Sequence, residues 1–484
     1  MSMVTLHNEQ LTWSDSQERL SKAGISPIWW TRFLESCREA GLNLHSALLG
    51  RGAELLAEQY SEAVGADSLH RLFSVSKSVT AVAIGCLADE GKLGLDNPLL
   101  TYYPEYQAGA HTWLAELTIR DMLRMETCHS QTTYKKDPAA PWVESFFTVE
   151  PDHAPGQHFF YDTSSSHVLA HLVERLSGQK LLDYLRNRGL RAAGFSDGAY
   201  FLEDPQGSPL GGSGLMATTR DFWVFARLVM QGGVHNGTAV FPADYLLEAT
   251  SLQTETAHNS SFREESLGYG YMFWRHRDGW ACYGMGGQLA ICVPNLDLLL
   301  VTTADMQKFK SDLQRLFDLF FRHLVDPLQH STFTGSPRTA EAALFSLPLA
   351  GSRQSAEKAA PRSGHWQLKL NKQNESAFLA YNEDHNEGQL TLCLGQEELA
   401  LPFAFGRQRA SVLPLTGHCV WTSAVRLDRS RVRILAQVID TEVGFIELGL
   451  SFGHNLTLHM KNNIESCYSR WQGLYTGTAV EEEL

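Results

Sequence analysis

A serine followed three residues later by a lysine can act as a nucleophile with its own base. The 484-residue chain carries this pair three times: Ser74/Lys77, Ser177/Lys180 and Ser355/Lys358. Context separates them. The second pair flanks Gly178 where a helix should end, and the third falls in a stretch rich in Ser, Ala and Pro. Only Ser74 opens a long apolar run, in which Val75, Val79, Val82, Ala83, Cys86 and Leu87 recur at three- and four-residue spacing, the pattern of a buried helix. Positions i and i+3 share a helix face, so Lys77 can reach the Ser74 hydroxyl. Free N–H groups and the dipole at a helix N-terminus favour developing negative charge. A serine hydroxyl is a poor nucleophile until a base takes its proton, and a buried lysine that loses its charge can serve as that base. On the motif alone, a plain helix cap with a solvated lysine is the competing reading.

The elements around the pair follow from hydrophobic period and turn chemistry. Residues 1–43 read as helical, with Trp29, Trp30, Phe33 and Leu34 clustered. Strand-like runs at 45–49 and 54–60 are joined by Gly50-Arg51-Gly52, which suits a hairpin. Helices are expected at 74–90, 117–127, 165–190, from 219 to about Gly232, and at 311–324; strands are expected at 280–283, 289–293 and 298–303. The predicted architecture is an α+β (α/β) domain over residues 1–330, with an antiparallel sheet flanked by helices and strands drawn from both ends. Residues 331–364, rich in Ser, Thr, Ala, Pro and Gly, read as a linker. From 365 to 484 the period falls to two, in Trp366/Leu368/Leu370, Leu390/Leu392/Leu394, Leu399/Leu401/Phe403/Phe405 and Ile446/Leu448/Leu450/Phe452, predicting a small β-rich, barrel-like domain.

Composition bounds the function. Hydrophobic residues make up 43% and charged residues 19%, ordinary for a globular chain. The net charge of −14 argues against a general nucleic-acid or anionic-membrane binder. No apolar run approaches the roughly 20 residues of a membrane-spanning helix. The N-terminus shows neither a basic region nor an apolar core of a secretion signal, so a cytoplasmic location is expected. Eight scattered cysteines without a CxxC pair read as free thiols rather than a zinc site. His167 and His171 lie i,i+4, but Val168 follows His167 where a zincin has Glu, so packing histidines are expected there. Neither a G-x-S-x-G elbow nor a G-x-x-x-x-G-K-[ST] loop is present. No metal and no cofactor is expected, and the oligomeric state is left open.

The run LFSVSKSVTAVAIGCLADEGKLGLDNPLLTYYPE (72–105) resembles the serine β-lactamase and penicillin-binding-protein superfamily, class C type. There a helix opening with Ser-x-x-Lys precedes E-G-K-L, D-x-P and Y-x-P-E, matched here by Glu90-Gly91-Lys92-Leu93, Asp96-Asn97-Pro98 and Tyr103-Pro104-Glu105 with Tyr102 before it. The next helix is similar at 117–128, with Cys128 where the family has Gly. The family's Tyr-x-Asn or Tyr-x-Ser motif is matched, after Pro155-Gly156, by Tyr161-Asp162-Thr163, with Thr163 replacing the Asn or Ser. Its Lys-Thr-Gly strand is matched by Tyr283-Gly284-Met285-Gly286-Gly287-Gln288, which lacks the cation and resembles the G-x-G-G-Q form of the 6-aminohexanoate-dimer hydrolase branch. Tyr134, before Lys135-Lys136-Asp137-Pro138, is similar to a substrate-contacting tyrosine of that branch. The resemblance spans about residues 44–303, and the C-terminal strands are only loosely similar to barrel appendages of some members.

The resemblance implies acyl transfer to water through a Ser74 ester, with Lys77 and Tyr161 as a coupled base pair. A phenol ordinarily titrates near 10, and a neighbouring Lys77 ammonium is expected to lower it. It further implies an oxyanion and substrate strand at Gly284, Met285 and Gly286, with Met285 N–H the expected partner of the Ser74 N–H. Substrate contacts are expected from Tyr134, Thr163 and Gln288. The missing third-motif cation points to small esters or linear amides over β-lactams. Two alternatives stay open: a catalytically inactive binding or scaffold protein, and a DD-peptidase or β-lactamase.

Overall fold

The computed structural model describes residues 10–137, 139–330, 364–370, 373–382, 386–394, 397–414, 416–465 and 472–479. The chain divides into two compact units, residues 1–345 and 346–484. The stretch 331–363, most of the expected linker, lies outside the described residues.

In the first unit, the apolar runs near both ends build one six-stranded antiparallel sheet. Its order is Glu54–Tyr60, Leu44–Arg51, Leu298–Ala304, Gln288–Val293, Gly279–Gly284 and Trp274–His276. The hairpin expected at Gly50-Arg51-Gly52 forms, and Leu49 pairs with Leu300 on its other side. Alternation sends Leu49, Leu300, Ile291 and Leu289 to one face, where they join Trp30, Phe33 and Leu34 of helix Pro27–Glu39 and Leu316 and Phe317 of helix Ser311–Phe320 in a single core. A buried aliphatic side chain of this kind is worth about 1.5–3 kcal/mol. Helix Thr219–Met230 covers the other face: a Cβ on Gly50 would lie 2.4 Å from Trp223 Nε1, and Ser46 Oγ meets Thr219 Oγ1 at 2.8 Å.

Helix Val75–Asp89 is buried without interruption from Val75 to Leu87, with polar Ser76, Lys77, Ser78 and Thr80 enclosed in its first turns. Gly85 admits a close neighbour: a Cβ there would lie 2.2 Å from the ring of Tyr245, whose hydroxyl donates to Ala81 O at 2.7 Å. Helix Thr163–Ser177 stops at Gly178, with φ of 71°, and Leu181–Leu185 begins a new segment, so the helix expected at 165–190 is broken by its glycine. The helix expected at 117–127 is only Ile119–Leu123, after a Thr118/Asp121 capping box.

The second unit is a ten-stranded antiparallel sheet from Gly364–Leu370 to Gly473–Ala479. Leu390, Leu392, Leu399, Leu401, Phe403, Ile446, Leu448 and Leu450 share one core, as their period-two spacing predicts. The side chains of Trp366, Leu368 and Leu370 lie outside the described set. The barrel expectation needs correcting at closure. Four residues join the two edge strands, Glu397–Ala404 and Arg409–Val412, a reach of at most roughly 18 Å, so the sheet curls back on itself. Among the described residues no ladder pairs those edges, so the barrel is not closed.

Among the described residues no helix is long and apolar enough to cross a membrane. Cys37, Cys86, Cys128, Cys282 and Cys292 are free and buried, Cys393 is half-buried and Cys419 exposed; Cys467 lies outside the described residues.

Candidate active site

Ser74 is the N-cap of helix Val75–Asp89, and the chain turns sharply to deliver it there. The preceding Phe73 has φ of 46°, a left-handed conformation that a bulky residue holds only where its surroundings enforce it. They do. Leu72 N donates to Leu215 O at 2.8 Å, Ser76 Oγ donates to Phe73 O at 2.6 Å, and Leu215 N donates to Ser76 Oγ at 2.9 Å. The Arg71 guanidinium lies 4.7 Å from the Phe73 ring centroid.

One turn on, Lys77 is 1% exposed. Its Nζ donates to Ser74 Oγ at 3.0 Å, Thr163 Oγ1 at 3.3 Å and Gly212 O at 2.7 Å, which uses all three ammonium protons. Burial lowers its pKa from the usual value near 10.5 to about 7; the Asp162 carboxylate opposes that shift and the Lys135 charge adds to it. The glycine-rich turn at 211–214 supplies the third acceptor. A Cβ on Gly212 would lie 2.4 Å from Ser166 Oγ and 2.5 Å from Thr163 Cγ2, so only glycine lets this carbonyl approach the lysine. In the sequence, Gly211, Gly212 and Gly214 mark a turn without assigning it this role.

Tyr161, Asp162 and Thr163 form the opposite wall. The Tyr161 ring centroid is 4.8 Å from Lys77 Nζ, and the ring stacks on Trp274 at 5.6 Å and meets Tyr269 edge-on at 6.4 Å. The residue is 37% exposed. Desolvation pushes the phenol up, the nearby Ser74 hydroxyl pulls it down, and Glu265 adds to the rise. This reverses the expected effect of Lys77 on Tyr161: the lysine gives up proton affinity and the phenol keeps its proton near neutrality. Asp162, missed in the sequence reading, is fully buried; its carboxylate caps helix Thr163–Ser177 by accepting from Ser164 N at 2.8 Å, Ser164 Oγ at 2.6 Å and Ser165 N at 2.9 Å. The available signal was an Asp immediately before an apolar helix.

The third wall is the end of strand Gly279–Gly284 and the turn after it. A Cβ on Gly284 would lie 2.2 Å from Leu72 O, so the turn is packed against the segment that leads into Ser74. Met285 is 42% exposed, and Gly286 and Gly287 have φ of 82° and 100°. Gln288, expected to contact substrate, is instead fully buried. Its Nε2 donates to Met285 O and Ala304 O, both at 2.8 Å, and its Oε1 accepts from Ala304 N at 3.0 Å, so its amide is consumed in shaping the turn.

Tyr134 stacks on Trp142 at 4.1 Å and meets His167 edge-on at 6.2 Å. Its segment is tied to the second wall by Thr163 N donating to Thr132 Oγ1 and Thr133 N donating to Ser164 Oγ. His167 is buried, with Nε2 2.9 Å from Asp204 Oδ2 and Nδ1 3.1 Å from Pro209 O; His171 Nδ1 lies 2.8 Å from the Tyr103 hydroxyl. Among the described residues no three His, Cys, Asp or Glu side chains gather as metal ligands.

An antiparallel sheet edged by a glycine turn, against which a buried helix presents serine and lysine beneath a tyrosine, is the architecture of the serine β-lactamases and penicillin-binding proteins. The profile of the Beta-lactamase family matches residues 42–319, more than half of the chain, and the chain belongs to that family of serine hydrolases. It is 26% identical over 296 residues to the 6-aminohexanoate-dimer hydrolase of Paenarthrobacter ureafaciens, covering 56% of this chain and 73% of the relative. It is 24% identical over 252 residues to an uncharacterized Mycobacterium tuberculosis protein, covering 40% of this chain and 62% of that one. A solved structure from Bacillus anthracis, provisionally named a 6-aminohexanoate-dimer hydrolase, superimposes with a TM-score of 0.52 at 18% identity, covering 60% of this chain and 80% of that one, a likeness of fold.

Proposed function

We propose that the protein hydrolyses small esters or linear amides through a covalent Ser74 acyl-enzyme. The observation that carries this reading is the buried Lys77 Nζ, 3.0 Å from Ser74 Oγ, with burial lowering its pKa to about 7. Neutral Lys77 takes the Ser74 proton as Oγ bonds the substrate carbonyl carbon. The tetrahedral oxyanion is held by the Ser74 N–H and the Met285 N–H. On collapse the carbonyl re-forms, the bond to the leaving oxygen or nitrogen breaks, and Tyr161 relays the proton from Lys77 to the leaving group. Water then attacks the ester by the same route and returns the Ser74 hydroxyl.

Linear amides and esters are favoured over β-lactams for two reasons. The third wall offers glycines and Met285 where β-lactamases hold a substrate carboxylate with a cation, and the Paenarthrobacter relative is named as a hydrolase of a 6-aminohexanoate dimer and not of a β-lactam. Turnover of p-nitrophenyl butyrate by the wild type and by Ser74→Ala, Lys77→Ala and Tyr161→Phe tests the reading. Each variant should stay folded and lose nearly all activity, because groups acting as one unit do not contribute additively. A background rate equal in all four proteins would overturn it in favour of a scaffold.

A further inference from the structure

His167 lies one turn after Thr163 on helix Thr163–Ser177, and the acyl-transfer scheme gives it no part. The residue is 1% exposed. Its Nε2 is 2.9 Å from Asp204 Oδ2 and its Nδ1 is 3.1 Å from Pro209 O. A carbonyl oxygen and an ionised carboxylate can only accept hydrogen bonds. Asp204 is ionised: burial works against its charge, but hydrogen bonds from His167 and from the Ser208 and Gln206 N–H groups outweigh burial and hold its carboxyl below the usual range. Both ring nitrogens must therefore donate, and a ring that donates twice carries two protons. A neutral imidazole would set a bare lone pair against an oxygen, shielded from solvent. His171, one turn further on, is held below the ordinary histidine value by burial and by the Arg175 and His167 charges, so it brings no second cation to Asp204.

What the two donors hold leads to the base. Asp204 folds the loop that follows it, its Oδ1 accepting from Gln206 N at 2.9 Å and Ser208 N at 2.8 Å. Pro209 O also accepts from Gly211 N at 2.7 Å, and the next carbonyl but two, Gly212 O, accepts from Lys77 Nζ at 2.7 Å. On its other side the His167 ring meets Trp142 at 5.7 Å and Tyr134 at 6.2 Å, both edge-on. We propose that His167 is a positioning residue in the form of a buried imidazolium: its two N–H groups clamp Asp204 and Pro209 O, and through that loop fix the Gly212 carbonyl that holds Lys77. The proposal rests on Lys77 serving as base, and His167 itself touches neither substrate nor the reacting atoms.

The nitrogen spectrum of 15N-histidine-labelled protein, with the His167 signals assigned by their loss in His167→Gln, reads the protonation without turnover. Both ring nitrogens should show a one-bond coupling to hydrogen, unchanged from pH 6 to pH 8.5. His167→Phe keeps a planar ring beside Trp142 and Tyr134 and removes both donors. Its kcat/KM for p-nitrophenyl butyrate should fall by about 10- to 100-fold, the scale of a small misplacement of a catalytic group. The acidic limb of its pH profile, where Lys77 loses its proton, should also move to lower pH, because an ammonium whose third acceptor is loosened gives up its proton more readily. A merely structural role would lower the rate and leave the limb in place. A wild-type His167 with one bare nitrogen at pH 7 would overturn the imidazolium, and His167→Phe with an unmoved limb would overturn the positioning role. The nitrogen spectrum needs no substrate, so a protein without Ser74-dependent hydrolysis would still give the two-proton signature, which separates a failure of this proposal from a failure of the proposed reaction.

Discussion

The first two walls of the site and the third are built from opposite materials. The side that carries Ser74, Lys77 and Asp162 is dense in polar contacts: Lys77 spends all three protons, Asp162 accepts three hydrogen bonds, and Phe73 before Ser74 is held in a left-handed turn. The facing turn at 284–287 is glycine and Met285, with its one amide side chain, Gln288, turned to internal use. Both admit little substitution, the glycine turn because a Cβ on Gly284 or Gly287 would lie 2.2 Å from a neighbouring atom. The turn at 284–287 carries no cationic side chain.

The sharpest break in this contrast comes from the polar wall. Ser74→Ala should lower kcat/KM for an activated ester by about 10⁴-fold, and adding Lys77→Ala should cost little more, as measured by spectrophotometric turnover. Lys77→Met should be equally inactive yet more stable below pH 7 by about 1–2 kcal/mol, because a lysine buried with depressed proton affinity costs stability while charged; calorimetry at pH 6 reads it. The sign follows from proton binding. Between about pH 7 and the ordinary lysine value the unfolded chain binds the extra proton, so the wild type gains stability as pH rises and the variant's advantage shrinks.

Substitution on the glycine wall should act through shape. Gly284→Ala places a methyl 2.2 Å from Leu72 O, a main-chain atom two residues from Ser74. It should cost about 1–3 kcal/mol in stability and lower kcat for neutral esters more than it raises KM. The wild-type pH profile should show kcat/KM rising through about pH 7 as Lys77 loses its proton. The smallest effect lies in the other unit. His418 donates to the Asp440 carboxylate at 2.9 Å and lies 3.7 Å from that of Glu442, which raise its pKa to about 9, so its stabilisation is complete below the ordinary histidine value and lost as pH rises through 9. His418→Gln should lower the melting temperature at pH 6, match the wild type at pH 10, and leave ester turnover unchanged.

Much of the polar wall was legible because its signal is local. Ser74 and Lys77 sit on one strongly periodic helix, and Tyr161 follows a turn and precedes another. The sheet was legible for the same reason, its strands being short apolar runs separated by glycine turns. Part of what escaped depends on contacts between residues far apart in the sequence. Gly212 O reaches Lys77 from a turn 135 residues away, and the direction of the Tyr161 shift is set by burial, which no spacing rule supplies. Gln288 was misplaced because alternation in a strand gives the face of a residue but not whether its polar end finds a partner inside. The closure of the C-terminal sheet likewise turns on whether two edge strands pair, which alternation within each strand leaves undetermined.

The central claim is that Ser74 carries the acyl group. Intact-mass measurement after exposure to a fluorophosphonate addresses it directly. The wild type should gain one adduct per chain, mapped by peptide fragmentation to Ser74, and Ser74→Ala should gain none. An adduct that persists in Ser74→Ala, or one that maps to any other residue of the wild type, would contradict the account.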